Sequence, residues 1–252
     1  MNPLGDRKVF CLGLSRTGTT AFASKLCSLG LRTVHYSLNA YLRINELAHN
    51  KYHVGSPRRG KYWEWAYLRE CRSQDKQSLL EILEQYDAFA DLPFPLLYRE
   101  LAERYPNAYF VLTSRDDKSW LESMKWLLSD GHVLWKHGLL DDSLLDQSYG
   151  THVYDSDRLL SAYQSHNQQV RDFFGNSNCF TELKLDQGDF STAKLSEFLG
   201  VAPETGIGIA RQNSRRFATP ASRLAHYAAS FAPFHFTSIL YRKLAKQKGE
   251  IR

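Results

Sequence analysis

The chain has 252 residues, of which 43% are apolar and 23% charged, and its formal net charge is +5. This composition excludes an intrinsically disordered or collagen-like chain, and the length is sufficient to bury one sizeable core. No apolar run approaches the roughly 20 residues that a membrane-spanning helix needs, and the short apolar stretch near the N-terminus lacks a small-residue cleavage site. We therefore expect one main domain, located in the cytoplasm.

The four cysteines are scattered along the sequence. None belongs to a C-x-x-C pair or shows the spacing of a zinc site. Free thiols are typical of a reducing compartment, which agrees with a cytoplasmic location. We expect neither a structural disulfide nor a bound metal ion.

Strands and helices alternate along the chain in the hydrophobic pattern. The predicted strands are residues 8–14, 32–36, 86–90, 108–114 and 179–185. The predicted helices are residues 18–29, 76–85, 94–105, 117–128, 157–174 and 190–199. Because each strand is followed by a helix long enough for a crossover, the pattern predicts a parallel sheet with helices on both faces, a three-layer α/β/α fold. Residues 37–75 and 129–156 are less regular and are candidates for loops that determine specificity.

A glycine-spaced turn follows the first predicted strand, in the stretch VFCLGLSRTGTT from Val9 to Thr20. Gly13 and Gly18 stand where a phosphate-binding loop G-x-x-x-x-G-K-[ST] has its glycines, but Thr19 replaces the lysine. Without that lysine we do not expect the triphosphate of ATP or GTP to bind. Backbone N–H groups at the start of the helix still form an anion site. The polar side chains around it are those of Ser15, Arg16, Thr17, Thr19 and Thr20.

Two further motifs follow in order along the chain. Asp91-Leu92-Pro93 closes the third predicted strand; Arg115 closes the fourth, and Ser123 follows it eight residues later. Together with the SRTGTT loop they resemble the sulfotransferases that use 3′-phosphoadenosine 5′-phosphosulfate (PAPS), and in particular a mostly bacterial and fungal branch with Asp-x-Pro. The resemblance covers roughly residues 8–213, and we take residues 1–213 as the sulfotransferase domain.

The resemblance implies a P-loop-like sulfotransferase fold and the in-line transfer of a sulfuryl group from PAPS to a hydroxyl or amine of a small-molecule acceptor. The product would be adenosine 3′,5′-bisphosphate (PAP). Arg16 would bridge the 5′-phosphate and the sulfuryl group, and Gly18, Thr19 and Thr20 would hold the 5′-phosphate. Arg115 and Ser123 would hold the 3′-phosphate. Since ligands of parallel sheets bind beyond the carboxyl ends of the strands, these segments can build one site.

The catalytic base is a separate hypothesis. Asp91 occupies the position of a histidine in the cytosolic members of the family, and we expect it to take the proton of the acceptor. If the acceptor is cationic, Asp91 would instead bind and orient it. His35 at the end of the second predicted strand is the alternative base.

Residues 214–252 form a basic and aromatic extension that we expect to pack on the same domain or on a partner. Between residue 211 and the C-terminus there are nine Lys and Arg against one acid, Glu250, so the positive charge of the chain is concentrated there. By family resemblance Arg215 and Arg216 would complete the 3′-phosphate site. Peripheral contact of this extension with a membrane is a further expectation, as is a homodimer of the chain, whereas nucleic acid is not an expected partner.

Two other functions fit parts of the pattern. A P-loop kinase or NTPase would use the glycine-spaced loop, but it lacks the lysine and a convincing acidic Mg²⁺ motif. A non-catalytic module that binds a nucleotide or polyanion would need only the loop and the basic residues, and Asp91 would then be dispensable.

Overall fold

The computed structural model describes residues 2–35, 53–54, 83–84, 86–128 and 142–202. In this part of the chain six parallel strands form one sheet, in the spatial order β3-β2-β4-β1-β5-β6. The strands are β1 (Val9–Cys11), β2 (Thr33–Val34), β3 (His53–Val54), β4 (Ala88–Phe89), β5 (Tyr109–Ser114) and β6 (Phe180–Lys184).

Helices follow most of these strands. They are α1 (Thr19–Ser28), α2 (Tyr98–Arg104), α3 (Asp117–Leu128), α4 (Asp142–Tyr149), α5 (Ser156–Phe174) and α6 (Thr192–Leu199). Short 3₁₀ segments precede α2 at Phe94–Leu97 and follow β6 at Leu185–Gln187. No helix in the described ranges is long and apolar enough to cross a membrane.

The core consists of two apolar layers, one on each face of the sheet. Side chains of successive strand residues point to opposite faces, so Phe10 enters one layer while Val9 and Cys11 enter the other. Phe10 packs between Phe89 and Phe110 of the neighbouring strands, at ring-centroid distances of 5.1 and 5.6 Å. Helices α2, α3 and α5 cover this aromatic layer, and α1 and α6 cover the other. The predicted three-layer α/β/α fold is therefore confirmed.

The strand order creates a crevice at the carboxyl end of β1. The connection after β1 runs toward β2, which lies on the β4 side of β1. The connection after β4 runs in the opposite direction, to β5 on the other side of β1. Loops that diverge in this way open a ligand site between them. The loop after β1 and the turn at Asp91 after β4 therefore flank one crevice.

The observed elements differ from the predicted ones mainly in two segments. Strand β3 and helix α4 lie in the regions that the pattern left irregular, because β3 has only two residues and α4 only two turns. Helix α3 has the predicted bounds, α5 begins one residue earlier than predicted, and the other elements that were predicted are shorter than predicted where the structure describes them. Most of the predicted helix 76–85 and the whole extension 214–252 lie outside the described residues.

Candidate functional site

The loop between β1 and α1 is pinned to strand β5. A Cβ atom at Gly13 would lie 2.0 Å from Thr113 Oγ1 and 2.5 Å from Thr17 Oγ1, so only glycine allows this approach. The Thr17 hydroxyl donates to the Leu14 carbonyl at 2.7 Å and shares a 2.8 Å hydrogen bond with Thr113. Thr17 is fully buried, so its side chain fixes the loop and does not face the crevice.

Helix α1 begins at this loop with a glycine as its N-cap residue. Gly18 precedes the helix with φ at +92°, a conformation that glycine adopts without strain. Gly18 supplies no capping side chain, and the first turn of α1 contains no acidic residue. The N–H groups at the start of a helix attract anions when no side chain satisfies them.

Arg16 connects this loop to helix α3. Its Nε donates to Ser123 Oγ at 2.9 Å, and its guanidinium carbon lies 5.3 Å from the centre of the Trp126 ring. The backbone of Arg16 has φ at +74°, in the left-handed region that costs energy for a residue with a Cβ atom. Such a conformation persists only where the surroundings enforce it.

Ser15 is held in three directions by side chains from other elements. Its N–H donates to the Tyr149 hydroxyl at 3.2 Å, and its carbonyl accepts from Trp120 Nε1 at 3.0 Å. Its own hydroxyl donates to Asp91 Oδ1 at 2.7 Å. The residue before Arg16 is therefore fixed by α3, by α4 and by the turn after β4.

Asp91 is the centre of a buried polar cluster. It is 5% exposed and has φ at +71°. Its Oδ1 accepts from Ser15 and from the Leu92 N–H at 2.9 Å, and its Oδ2 accepts from Thr19 Oγ1 at 3.1 Å. His35 Nε2 lies 3.6 Å from Oδ2. Three of the roughly four lone-pair positions of the carboxylate are thus occupied, and the remaining one, on Oδ2, is beside His35.

His35 contacts the first residues of α1. The ring is fully buried, and its Nε2 is 3.4 Å from the hydroxyls of Thr19 and Thr20. The two candidate bases are therefore neighbours, and both contact hydroxyls of the anion loop.

Arg115 lies at the carboxyl end of β5, next to the strand that carries the loop. Its backbone is fixed by Tyr163, whose hydroxyl accepts from the Arg115 N–H and donates to its carbonyl, both at 2.8 Å. The Arg115 Nε is 3.6 Å from Asp186 Oδ1. Ser123 contacts Arg16, and the described contacts of Arg115 do not include it.

Several side chains that hold the backbone of the site were not predicted as catalytic or binding residues. Trp120 and Tyr149 hold Ser15, Tyr163 holds Arg115, and His166 Nε2 donates to the Leu12 carbonyl at 2.7 Å. Burial raises the pKa of the Tyr149 hydroxyl and keeps it neutral. A regular helical spacing of apolar residues could have indicated that these aromatic residues are buried, but not which backbone groups they bind.

The structure thus brings together most of the predicted site residues. Ser15, Arg16, Thr19, Thr20, His35, Asp91 and Ser123 form one connected cluster. Arg215 and Arg216 lie outside the described residues. In the described ranges no group of three or more His, Cys, Asp or Glu side chains could hold a metal ion.

The fold and the loop define a class of α/β proteins with a glycine-spaced turn between the first strand and the first helix. The family model described as a sulfotransferase domain matches residues 8–216. Since this match covers most of the chain, the chain belongs to the sulfotransferase family.

Individual proteins with a similar sequence or fold have low identity to this chain or match only part of it. The protein named Ava biosynthesis cluster protein M, from Aspergillus versicolor, is 31% identical over 122 residues, which are 47% of this chain and 42% of that protein. The match therefore spans less than half of that relative. A crystal structure of a sulfotransferase from Alicyclobacillus acidocaldarius aligns over 90% of this chain and 92% of its own, at 15% identity and a TM-score of 0.43.

Proposed function

We propose that this sulfotransferase moves the sulfuryl group of PAPS to a hydroxyl or amine of a small-molecule acceptor. The observation that carries the proposal is the 2.9 Å hydrogen bond between Arg16 Nε and Ser123 Oγ. It joins the anion loop after β1 to helix α3, which begins just beyond Arg115, the residue that follows the neighbouring strand β5. A nucleotide with phosphates on both its 3′ and 5′ positions requires two neighbouring anion sites. The contact between Arg16 and Ser123 brings the residues proposed for these two sites together.

The residues at the loop fit a phosphate. The N-terminus of α1, where Gly18 has no capping side chain, directs its backbone N–H groups and the positive end of the helix dipole to the loop, and Arg16 adds a positive charge beside them. Arg115 and Ser123 would hold the 3′-phosphate. Arg115 now contacts Asp186, so a phosphate would replace that carboxylate as its partner.

The bound donor would supply the sulfuryl group, and the protein would orient the reactants and stabilise charge. Arg16 would neutralise the charge that develops on the leaving phosphate. In the described part of the chain Asp91 Oδ2 accepts one hydrogen bond, from Thr19, and its other lone pair borders His35. We assign this second lone pair the proton of the acceptor. His35 is the second candidate for this role because its Nε2 borders the same oxygen.

Calorimetry tests the donor. PAP should bind to the wild-type protein, and ATP with Mg²⁺ should neither bind tightly nor displace it. Preferential binding of ATP with Mg²⁺ would contradict the proposal and favour a kinase or NTPase.

A labelled sulfuryl donor with a panel of acceptors tests the reaction. With a reactive acceptor, Asp91→Asn should lower the rate by about 100-fold or more, because general-base catalysis contributes at least this factor. Affinity for PAP should stay within about threefold, since Asn can still accept from Ser15 and from the Leu92 N–H.

His35→Gln is the matched variant for the second base. A near-normal rate in Asp91→Asn together with a large loss in His35→Gln would move the proton transfer to His35. Transfer by neither the wild-type protein nor its variants, with PAP still bound, would favour a non-catalytic binding module.

A further inference from the structure

We propose that Trp120 and Tyr149 are positioning residues that hold the two peptide groups of Ser15 and so direct the Arg16 guanidinium to the sulfuryl group of the donor. This inference rests on the proposed function, because it names how the same site recognises PAPS. Neither residue belongs to a sequence motif, and they come from two different helices, α3 and α4.

The Ser15 clamp, formed by Trp120 and Tyr149, acts on the backbone from both sides. Tyr149 accepts from the Ser15 N–H at 3.2 Å, and Trp120 donates to the Ser15 carbonyl at 3.0 Å. Together the two bonds fix the orientation of the peptide planes before and after Ser15. The second of these planes leads directly into Arg16.

Arg16 needs such support. Its φ of +74° is unfavourable for a residue with a Cβ atom. On the other side Thr17 is equally fixed, by hydrogen bonds to the Leu14 carbonyl and to Thr113. Arg16 therefore lies between two anchored residues, and the left-handed turn points its side chain to Ser123.

The clamp residues are themselves immobilised by packing. Trp120 is fully buried and stacks on Tyr163 at 4.2 Å with an angle of 9° between the rings. Tyr149 is 1% exposed, with its ring centre 6.2 Å from that of Trp120. Tyr163 in turn holds the backbone of Arg115. One aromatic group thus supports both arginines of the site, Arg16 through Trp120 and Arg115 through Tyr163.

Binding measurements separate this role from a general effect on the fold. PAP keeps the 5′-phosphate, which the N–H groups of the loop would also hold, but it lacks the sulfuryl group, for which Arg16 is the proposed partner. A misdirected Arg16 should therefore weaken the binding of PAPS more than that of PAP. In Tyr149→Phe we expect PAPS affinity to fall by about five- to tenfold relative to PAP, the effect of one lost hydrogen bond. Trp120→Phe, which removes the other hydrogen bond, should shift the same ratio and provides a second variant should the first fail to fold.

Tyr163→Phe is the matched control. It removes a buried tyrosine hydroxyl from the same aromatic group, but one that holds Arg115. It should weaken PAP and PAPS equally, because both carry the 3′-phosphate.

A double-mutant cycle tests whether the clamp acts through Arg16. Asn tolerates the left-handed conformation, so Arg16→Asn removes the guanidinium without adding strain. In that background Tyr149→Phe should no longer change the ratio of PAPS to PAP affinity.

Equal losses for PAP and PAPS in both clamp variants would overturn the inference, as would an undiminished shift of the ratio in the Arg16→Asn background. These outcomes presuppose that the wild-type protein binds PAP and PAPS. Failure of the wild-type protein to bind either nucleotide would instead refute the proposed function.

Discussion

Backbone strain in this protein is concentrated at the residues that would do the chemistry. Arg16 and Asp91 are the non-glycine residues with positive φ in the described ranges, at +74° and +71°. They lie on opposite sides of Ser15, which bonds to Asp91 and precedes Arg16. A strained conformation is retained only when neighbouring groups over-determine it, and here hydrogen bonds from three other elements do so. These hydrogen bonds therefore fix the positions of the Arg16 guanidinium and the Asp91 carboxylate relative to one another.

We expect a substitution of Gly13 to lower the free energy of unfolding more than a substitution of any other glycine in this loop. In Gly13→Ala the new Cβ would lie 2.0 Å from Thr113 Oγ1 and 2.3 Å from the Thr113 carbonyl oxygen, so β1 and β5 must separate. We expect a loss of about 3 kcal/mol in the free energy of unfolding, at the upper end of overpacking effects. Chemical denaturation measures it.

Gly150→Ala is the control for this substitution. Gly150 has φ at +69°, and nothing lies within 4 Å of a Cβ atom there. We expect Gly150→Ala to lower the free energy of unfolding by only about 1 kcal/mol, the cost of the left-handed backbone alone. Equal losses in the two variants would show that the contact with Thr113 is not what requires glycine at position 13.

The sequence motifs identify only the residues whose spacing is diagnostic. The loop residues, Asp91, Arg115 and Ser123 stand at family-like positions and could be named from the sequence. The partner of Ser123 could not, because the hydrogen bond to Arg16 depends on the angle between the loop and α3. For the same reason the backbone contacts of Trp120 and Tyr149 follow from tertiary packing and leave no local pattern.

Helix α5 binds the segments after β1 and β5 and the middle of β6, three neighbouring strands of the sheet. Tyr163 holds the residue after β5, and His166, three positions later on the same face, binds the Leu12 carbonyl after β1. Five residues further, Arg171 binds Glu182 of β6 at 2.8 and 2.9 Å. One helix therefore sets the relative positions of the segments that carry Arg16 and Arg115.

His166 should make the stability of the protein depend on pH. Burial lowers the pKa of His166 below its ordinary value of 6.5, although the hydrogen bond to Leu12 opposes this shift. The unfolded chain then binds a proton at a pH where the folded chain does not, so acidification below about pH 6.5 favours unfolding. In His166→Gln, which keeps an N–H donor, this contribution should disappear.

Denaturation curves between pH 5 and 8 provide the comparison. The free energy of unfolding of the wild-type protein should fall faster on acidification than that of the variant, so the advantage of the wild-type protein shrinks at low pH. Parallel pH profiles would mean that His166 takes up its proton equally in both states.

Long elements with a clear hydrophobic pattern were predictable, and short ones were not. Helix α3 has the predicted bounds because Trp120, Met124 and Leu127 recur at helical spacing on its buried face. Helix α4 escaped prediction because it is eight residues long, and its buried Leu145 and Tyr149 give too short a pattern. The element that was missed nevertheless supplies a side chain to the Ser15 clamp.

At the scale of the whole molecule, the strand order accounts for the position of the site. β1 is central, with β4 and β5 on either side, so the segments after these three strands meet at one edge. Alternation of strands and helices predicts parallel strands with helices on both faces, but not which strands are neighbours. That order is set by long-range packing, such as the stack of Phe10 between Phe89 and Phe110.

A ligand that binds the segments after both β1 and β5 should stabilise the whole sheet. At a concentration of PAP near 100 times its dissociation constant, the free energy of unfolding should rise by about 2.7 kcal/mol. For a chain of this size that corresponds to an increase of about 5 to 10 °C in Tm, measurable by differential scanning fluorimetry. Adenosine 5′-monophosphate at the same concentration should give a much smaller shift because it contacts only the loop after β1. In Arg115→Ala the shift with PAP should fall to that of the monophosphate, since the 3′-phosphate has lost its partner. A full PAP shift in that variant would place the second phosphate away from β5, while a shift lost with both nucleotides would mean that Arg115 supports the loop itself.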